Sequence, residues 1–69
     1  MQKFAICIVK DNDQKIVSTH MTKDEAIKNG NTINSQLPKG AGVVSCIFGE
    51  FDDNDNLIGN KYKIHKTWI

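Results

Sequence analysis

Two short stretches of this chain are apolar at nearly every position, and they constrain its fold more than any other feature. Phe4–Val9 reads FAICIV, and Gly42–Phe51 reads GVVSCIFGEF. A strand with one solvated face alternates apolar with polar residues, whereas a strand buried on both faces is apolar throughout. Because both stretches are rich in β-branched and aromatic residues, they predict central strands that supply side chains to both faces of one sheet.

Each central strand is paired in the sequence with a more polar strand across a turn. Asp11–Asp13 separates the first strand, Lys3–Val9, from Lys15–Thr19, and Asp52–Asn56 separates the Gly42–Phe51 strand from Leu57–His65. Asn and Asp favour turns because their side chains bond to the nearby backbone and tolerate positive φ. The sequence therefore predicts two hairpins, with the lysine-bearing strands at the edges, where lysine discourages pairing with another sheet.

One amphipathic helix is predicted between the hairpins. Thr22-Lys23-Asp24-Glu25 has the pattern of a capping box, in which the side chains of Thr22 and Glu25 accept each other's backbone N–H. The helix is predicted to run to about Gln36 or Leu37, where Pro38 and Gly40 end it. Its apolar face consists of Ala26, Gly30, Ile33 and Leu37.

These elements predict a single α+β domain over residues 1–69. The element order is ββαββ, and the expected architecture is a four-stranded antiparallel sheet in the order 2-1-3-4 with one helix on one face. The crossover from the second strand to the third passes through the helix and is expected to be right-handed.

Both faces of the predicted sheet are apolar, but a single helix can cover only one of them. With three-residue hairpin loops, Cys7 and Cys46 share a face, where their thiols could oppose each other, and we expect this face under the helix. The other face would then be an exposed apolar patch of the kind that marks an interface.

A core of this size contributes only about 3–5 kcal/mol to stability, and a second copy would enlarge it. We therefore expect a homodimer through the uncovered face, with these candidate interface residues: Phe4, Ile6, Ile8, Ile16 and Ile47. Alternatively, strand twist or the tail with Trp68 and Ile69 covers this face within one chain.

Charge and cysteine content argue against several functional classes. The chain has nine lysines, no arginine and eight acidic residues, for a net charge of +1. Because arginine is absent, the chain lacks the planar guanidinium group that forms paired hydrogen bonds to phosphate and guanine. Cys7 and Cys46 lie in apolar strands, and with His20 and His65 they show no metal-ligand spacing. The second turn, Asp52–Asn56, is acidic, but the sequence that starts there lacks the glycine and glutamate of an EF-hand loop. We call this segment the acidic turn. We expect no enzyme activity, catalytic residue, metal or cofactor, and a cytoplasmic protein with reduced thiols and no membrane segment.

The C-terminal strand suggests one alternative function. Lysines alternate there with aromatic residues, and such a strand could hold single-stranded nucleic acid by stacking and by phosphate contacts. The candidate contact residues are Lys61, Tyr62, Lys63, His65, Lys66 and Trp68. The interpretation that the sequence favours is a small non-enzymatic interaction module that binds a protein partner, and nucleic-acid binding is the alternative.

Overall fold

The computed structural model describes the whole chain, Met1–Ile69, and confirms the predicted ββαββ order. The strands are β1 (Gln2–Lys10), β2 (Asp13–His20), β3 (Val43–Phe51) and β4 (Leu57–Thr67), and the single helix α1 spans Lys23–Gln36. All strand pairs are antiparallel, and the sheet order is β2-β1-β3-β4, as predicted. No helix is long and apolar enough to cross a lipid bilayer.

The capping box forms at the start of α1, with one difference from its expected geometry. Thr22 is the N-cap residue, and its Oγ1 accepts a hydrogen bond from the Glu25 backbone N–H at 3.2 Å. The Glu25 carboxylate, however, accepts from the Thr22 hydroxyl at 3.1 Å rather than from the Thr22 backbone. The cap supports a helix that is rich in weak helix formers and therefore depends on tertiary packing.

The first hairpin closes through two residues instead of three. Asp11 and Asn12 both have positive φ, 52° and 68°, which is the pattern of a type I′ turn. Cys7 consequently lies opposite Ile16 in β2, after a bulge. The separate pairing of β1 with β3 places Cys7 opposite Ser45 rather than on the face of Cys46. Because side chains alternate with a period of two, a shift of one residue moves a whole strand's side chains to the other face.

This register corrects the predicted faces. Cys46 lies under α1, but Cys7 lies on the opposite side of the sheet, so the expectation that the two thiols could oppose each other is wrong. The cluster under the helix contains Ile6, Ala26, Val44 and Cys46. The cluster on the far side contains Ala5, Cys7, Ile47 and Phe51.

The far side of the sheet is buried at its centre within one chain. Ala5, Cys7 and Ile47 are fully buried, and Phe51 is 1% exposed. Two register shifts interrupt the β3–β4 pairing, and bulges bend and twist a hairpin. Leu57 packs against this cluster from the start of β4. The centre of the far side is therefore covered within one chain, which the sequence left as the alternative to a homodimer, while Val43, Tyr62 and Ile64 stay exposed around it.

Candidate functional site

The most exposed element of the protein is β4, the edge strand formed by the last hairpin. Every residue from Ile58 to Thr67 is exposed. Three large apolar side chains are included: Ile58 is 50% exposed, Tyr62 is 38% exposed and Ile64 is 57% exposed. Isolated apolar residues on a surface are ordinary, but three on one edge strand form a candidate contact surface. We call Ile58–Lys66 the β4 surface.

The position of α1 explains why the helix does not cover β4. The helix contacts β1, β2 and β3 and makes no contact with β4. The opposite edge of β4 has no neighbouring strand, because β4 is the last in the sheet order. An edge strand presents unpaired backbone N–H and C=O groups, so the β4 surface offers both a hydrogen-bonding edge and uncovered side chains.

The charge on this surface has one sign. Lys61, Lys63 and Lys66 lie on β4, and no acidic residue occurs between Leu57 and Ile69. Lys63 lies opposite Phe48 in β3, whereas Tyr62 lies opposite Gly49 and Ile64 lies opposite Ile47. Because cross-strand partners share a face, Lys63 projects to the helix side while Tyr62 and Ile64 project to the far side.

The predicted nucleic-acid residues do not form one stacking platform. Trp68 packs on the helix side, where its Nε1 donates to Asn31 Oδ1 at 2.8 Å and its backbone N–H donates to the Val44 carbonyl at 2.9 Å. Tyr62 projects to the other side of the sheet. Of the predicted set, the structure brings together Lys66 and Trp68, with the ammonium 5.2 Å from the ring centroid. Lys61 is exposed on β4 with Lys63.

The predicted dimer-interface residues are divided between the two sides of the sheet. Phe4, Ile6 and Ile8 pack in the cluster under α1, so they do not lie on the face left uncovered by the helix. Ile47 belongs to the far-side cluster and is fully buried, and Ile16 is half-buried against it. The register of β1 is the cause, since it pairs Ala5 with Ile47 in β3 and Cys7 with Ile16 in β2, which reverses β1 relative to the expected faces.

Sequence reasoning missed an aromatic cluster beside β4. The rings of Phe4 and Phe48 are 4.6 Å apart, and the His65 ring lies 5.4 Å from Phe4 and 6.2 Å from Phe48. Tilted and edge-on arrangements at these distances are favourable for aromatic pairs. No local pattern in the sequence indicates this cluster, because it depends on the β1–β3 register, which places Phe4 directly opposite Phe48.

A second cluster that the sequence did not reveal joins β2 to α1. Ser18 Oγ lies 2.9 Å from His20 Nε2, and the Asn29 side-chain amide donates to Ser18 Oγ at 2.7 Å. The same amide nitrogen lies 3.3 Å from His20 Nε2. The spacing of Ser18 and His20, two residues apart on one strand, predicts a shared face, but only the fold shows that Asn29 completes the cluster. These contacts tie the edge strand β2 to the helix.

The two thiols are poorly placed for nucleophilic chemistry. Cys7 and Cys46 are fully buried on opposite sides of the sheet. Burial raises the pKa of both thiols above their ordinary value. Since the thiolate is the reactive form, both cysteines serve as small apolar core residues.

Two of the three carboxylates of the turn Asp52–Asn56 are engaged in holding the hairpin. Asp52 Oδ1 accepts from the backbone N–H groups of Asn54 and Asn56, each at 2.9 Å, and these bonds lower the pKa of Asp52. Lys3 donates to Asp55 Oδ1 at 2.7 Å, which lowers the pKa of Asp55. The ion pair ties the turn to β1 across the far side of the sheet.

Comparisons of the chain with protein-family models, with curated proteins and with solved structures find no match.

Proposed function

We propose that this protein is a small non-enzymatic interaction module that binds a protein partner through the β4 surface. The observation that carries the proposal is an eleven-residue edge strand on which Ile58, Tyr62 and Ile64 are all exposed. The proposal replaces the face-to-face homodimer, because the side of the sheet on which that homodimer depended is buried at its centre.

The shape of the surface supports protein binding. A partner strand can pair with an exposed edge through main-chain hydrogen bonds while side chains on alternate positions supply selectivity. β4 is long enough to give such a partner several pairs of backbone bonds. Its apolar residues gain by being covered, at roughly 25 cal/mol per Å² of apolar surface removed from water.

The placement of the reactive groups supports a non-enzymatic role. Both thiols are buried with raised pKa values, and the Asp52 and Asp55 carboxylates are engaged within the hairpin turn. The Ser18 hydroxyl and the His20 ring belong to the contact between β2 and α1. These groups stabilise the fold where they stand.

A peptide-display selection tests the proposal. Random decapeptides are selected on the immobilised protein and then measured against the double variant Ile58→Thr/Ile64→Thr, which keeps β-branching but removes apolar surface. The matched control is Val17→Thr/Val43→Thr, at two exposed valines outside β4. We expect the selected peptides to lose affinity for the β4 variant and to keep it for the control. Equal affinity for both variants, or failure to select any peptide, contradicts the proposal.

A further inference from the structure

We propose that the partner segment is an extended strand that alternates acidic with apolar residues and adds to β4 as a fifth strand of the sheet. This inference rests on the proposed function and specifies the chemistry of the partner. It depends on three features of the β4 surface: its free edge, the alternation of its side chains and the sign of its charge.

The free edge determines the conformation of the partner. β4 pairs with β3 on one side and with nothing on the other, so its outer backbone groups are free of a partner strand. Its pairing with β3 is regular at residues 62–64, between the two register shifts. An extended segment satisfies such an edge through ladder hydrogen bonds, which a helix or a loop cannot match over the same length.

The alternation of side chains determines the pattern of the partner. Tyr62 and Ile64 project to the far side of the sheet, and Lys63 projects to the helix side. Lys61, two residues before Lys63, shares its side by the period of the strand. An added strand places its own side chains beside these on the same two faces. Acidic residues of the partner would therefore lie beside the lysines on the helix side, and its apolar residues beside Tyr62 and Ile64 on the far side.

The charge of the surface argues against a second copy of this chain as the added strand. In an antiparallel pair of β4 strands, the register with the longest overlap is centred on Tyr62, the middle residue of the strand. In that register, the Lys61 of each copy lies directly opposite the Lys63 of the other, so two lysine pairs are formed. Like charges directly opposite each other are destabilising, whereas glutamate or aspartate opposite the same lysines is favourable.

The aromatic side chains argue against nucleic acid as the occupant. Single strands are held by aromatic faces on which successive bases stack. On this protein the Trp68 ring is packed against α1, and Tyr62 projects to the other side of the sheet. Ile58 and Ile64 offer apolar surface and no stacking platform, which suits a peptide better than a base.

Peptide binding by fluorescence anisotropy tests the inference. Three labelled nine-residue peptides alternate valine with glutamate, with glutamine or with lysine, and each is titrated with the full-length protein at 50 mM and 500 mM salt. We expect the glutamate peptide to bind about tenfold tighter than the glutamine peptide at low salt, and to lose most of that advantage at high salt.

Two charge variants locate the effect. Lys61→Gln/Lys63→Gln/Lys66→Gln removes the lysines of β4, and Lys15→Gln/Lys28→Gln/Lys39→Gln removes the same net charge elsewhere. We expect the first variant to bind the glutamate and glutamine peptides equally and the second to keep the preference. Circular dichroism of both variants verifies that they remain folded.

The outcomes separate the inference from the proposed function. Equal binding of the glutamate and glutamine peptides overturns the acidic partner but leaves a peptide-binding edge. Failure of all three peptides, with display-selected peptides still bound at β4, also overturns only the inference, whereas failure of both sets overturns the function as well. Binding of a labelled 20-nucleotide single strand that is lost in the β4 lysine variant, with no peptide bound, favours the nucleic-acid alternative instead.

Discussion

The indole ring of Trp68 occupies the space that a side chain on Gly30 would need. A Cβ built on Gly30 would lie 2.7 Å from Cζ2 of the indole and closer still to Cη2. Trp68 packs against the cluster under α1, and Gly30 is buried in the middle of the helix. The glycine, which weakens a helix on its own, is therefore required for close packing of the tail against the helix.

We expect Gly30→Ala to destabilise the protein, although alanine is the better helix former. The gain in helix propensity is about 1 kcal/mol, whereas displacing a packed ring costs about 1–3 kcal/mol or more. Urea unfolding, followed by the fluorescence of the single tryptophan, measures the change and shows whether the ring has moved into water. Asn34→Ala, on the exposed side of the same helix, is the control and should stabilise slightly. A more stable Gly30→Ala protein with unchanged fluorescence would contradict the packing described.

Thr22→Ala should remove the N-terminal cap of α1. The Thr22 oxygen accepts from the Glu25 backbone N–H, and loss of such a cap costs about 1 kcal/mol. Thr22→Ser keeps the acceptor and should restore most of the stability. The free energies of unfolding of the two variants, measured in urea at pH 7, provide the comparison; equal losses would show that the hydroxyl is unimportant.

The acidic turn should make the protein less stable at low pH. Hydrogen bonds from the backbone of Asn56 and Asn54 lower the pKa of Asp52 in the folded state. A carboxyl with a lowered folded pKa contributes stability above its unfolded pKa, about 3.9, and this contribution is lost as the pH falls through the folded pKa. Urea unfolding between pH 2 and pH 7 measures this loss.

Asp52→Asn keeps an acceptor oxygen but removes the titration, so the loss of stability with acid should become shallower. Asp53→Asn, at the next position of the turn, is the control and should follow the parent protein. An Asp52→Asn profile as steep as that of the parent would show that the turn does not contribute.

The two thiols should be almost unreactive in the folded protein. Burial removes Cys7 and Cys46 from solvent and raises the pKa of both. Modification of the cysteines by a disulfide reagent at pH 8 should therefore be slow in buffer and rapid in urea. In urea, both cysteines of each molecule should react. Because these folded pKa values lie above the unfolded value of about 8.5, stability should also fall as the pH rises through that value. Rapid labelling of either cysteine in buffer would contradict its burial.

The element order was predictable because it depends on local patterns. Two strands apolar on both faces, one capped helix and two polar turns lead directly to ββαββ, and lysine-bearing strands belong at the edges. The faces were not predictable from the same patterns. The turn at Asp11 and Asn12 has two residues rather than three, which changes the β1–β2 register. The long-range pairing of β1 with β3 decides whether Phe4 lies under the helix or on the far side, and no local pattern reveals that register.

The candidate site was predictable only in part, for a related reason. The lysines of β4 are visible in the sequence, and the structure places them on an exposed edge. The separation of Tyr62 from Trp68 depends on a shift of register between Cys46 and Ile47, and the sequence carries no local sign of that shift. The packing of Trp68 on Gly30 joins residues far apart in the chain, so no periodic pattern reveals it.

The two ends of β4 are attached to different cores, and its exposed middle adds the His65 ring beside Phe4 and Phe48. Leu57 packs into the cluster on the far side of the sheet, and Trp68, just after the strand, packs into the cluster under α1. Substitutions at the exposed positions between these anchors remove few buried contacts, so the surface that we propose for partner binding is expected to tolerate sequence change while the scaffold stays folded. On that proposal, the partner preference of β4 is expected to change through single substitutions that leave the fold intact.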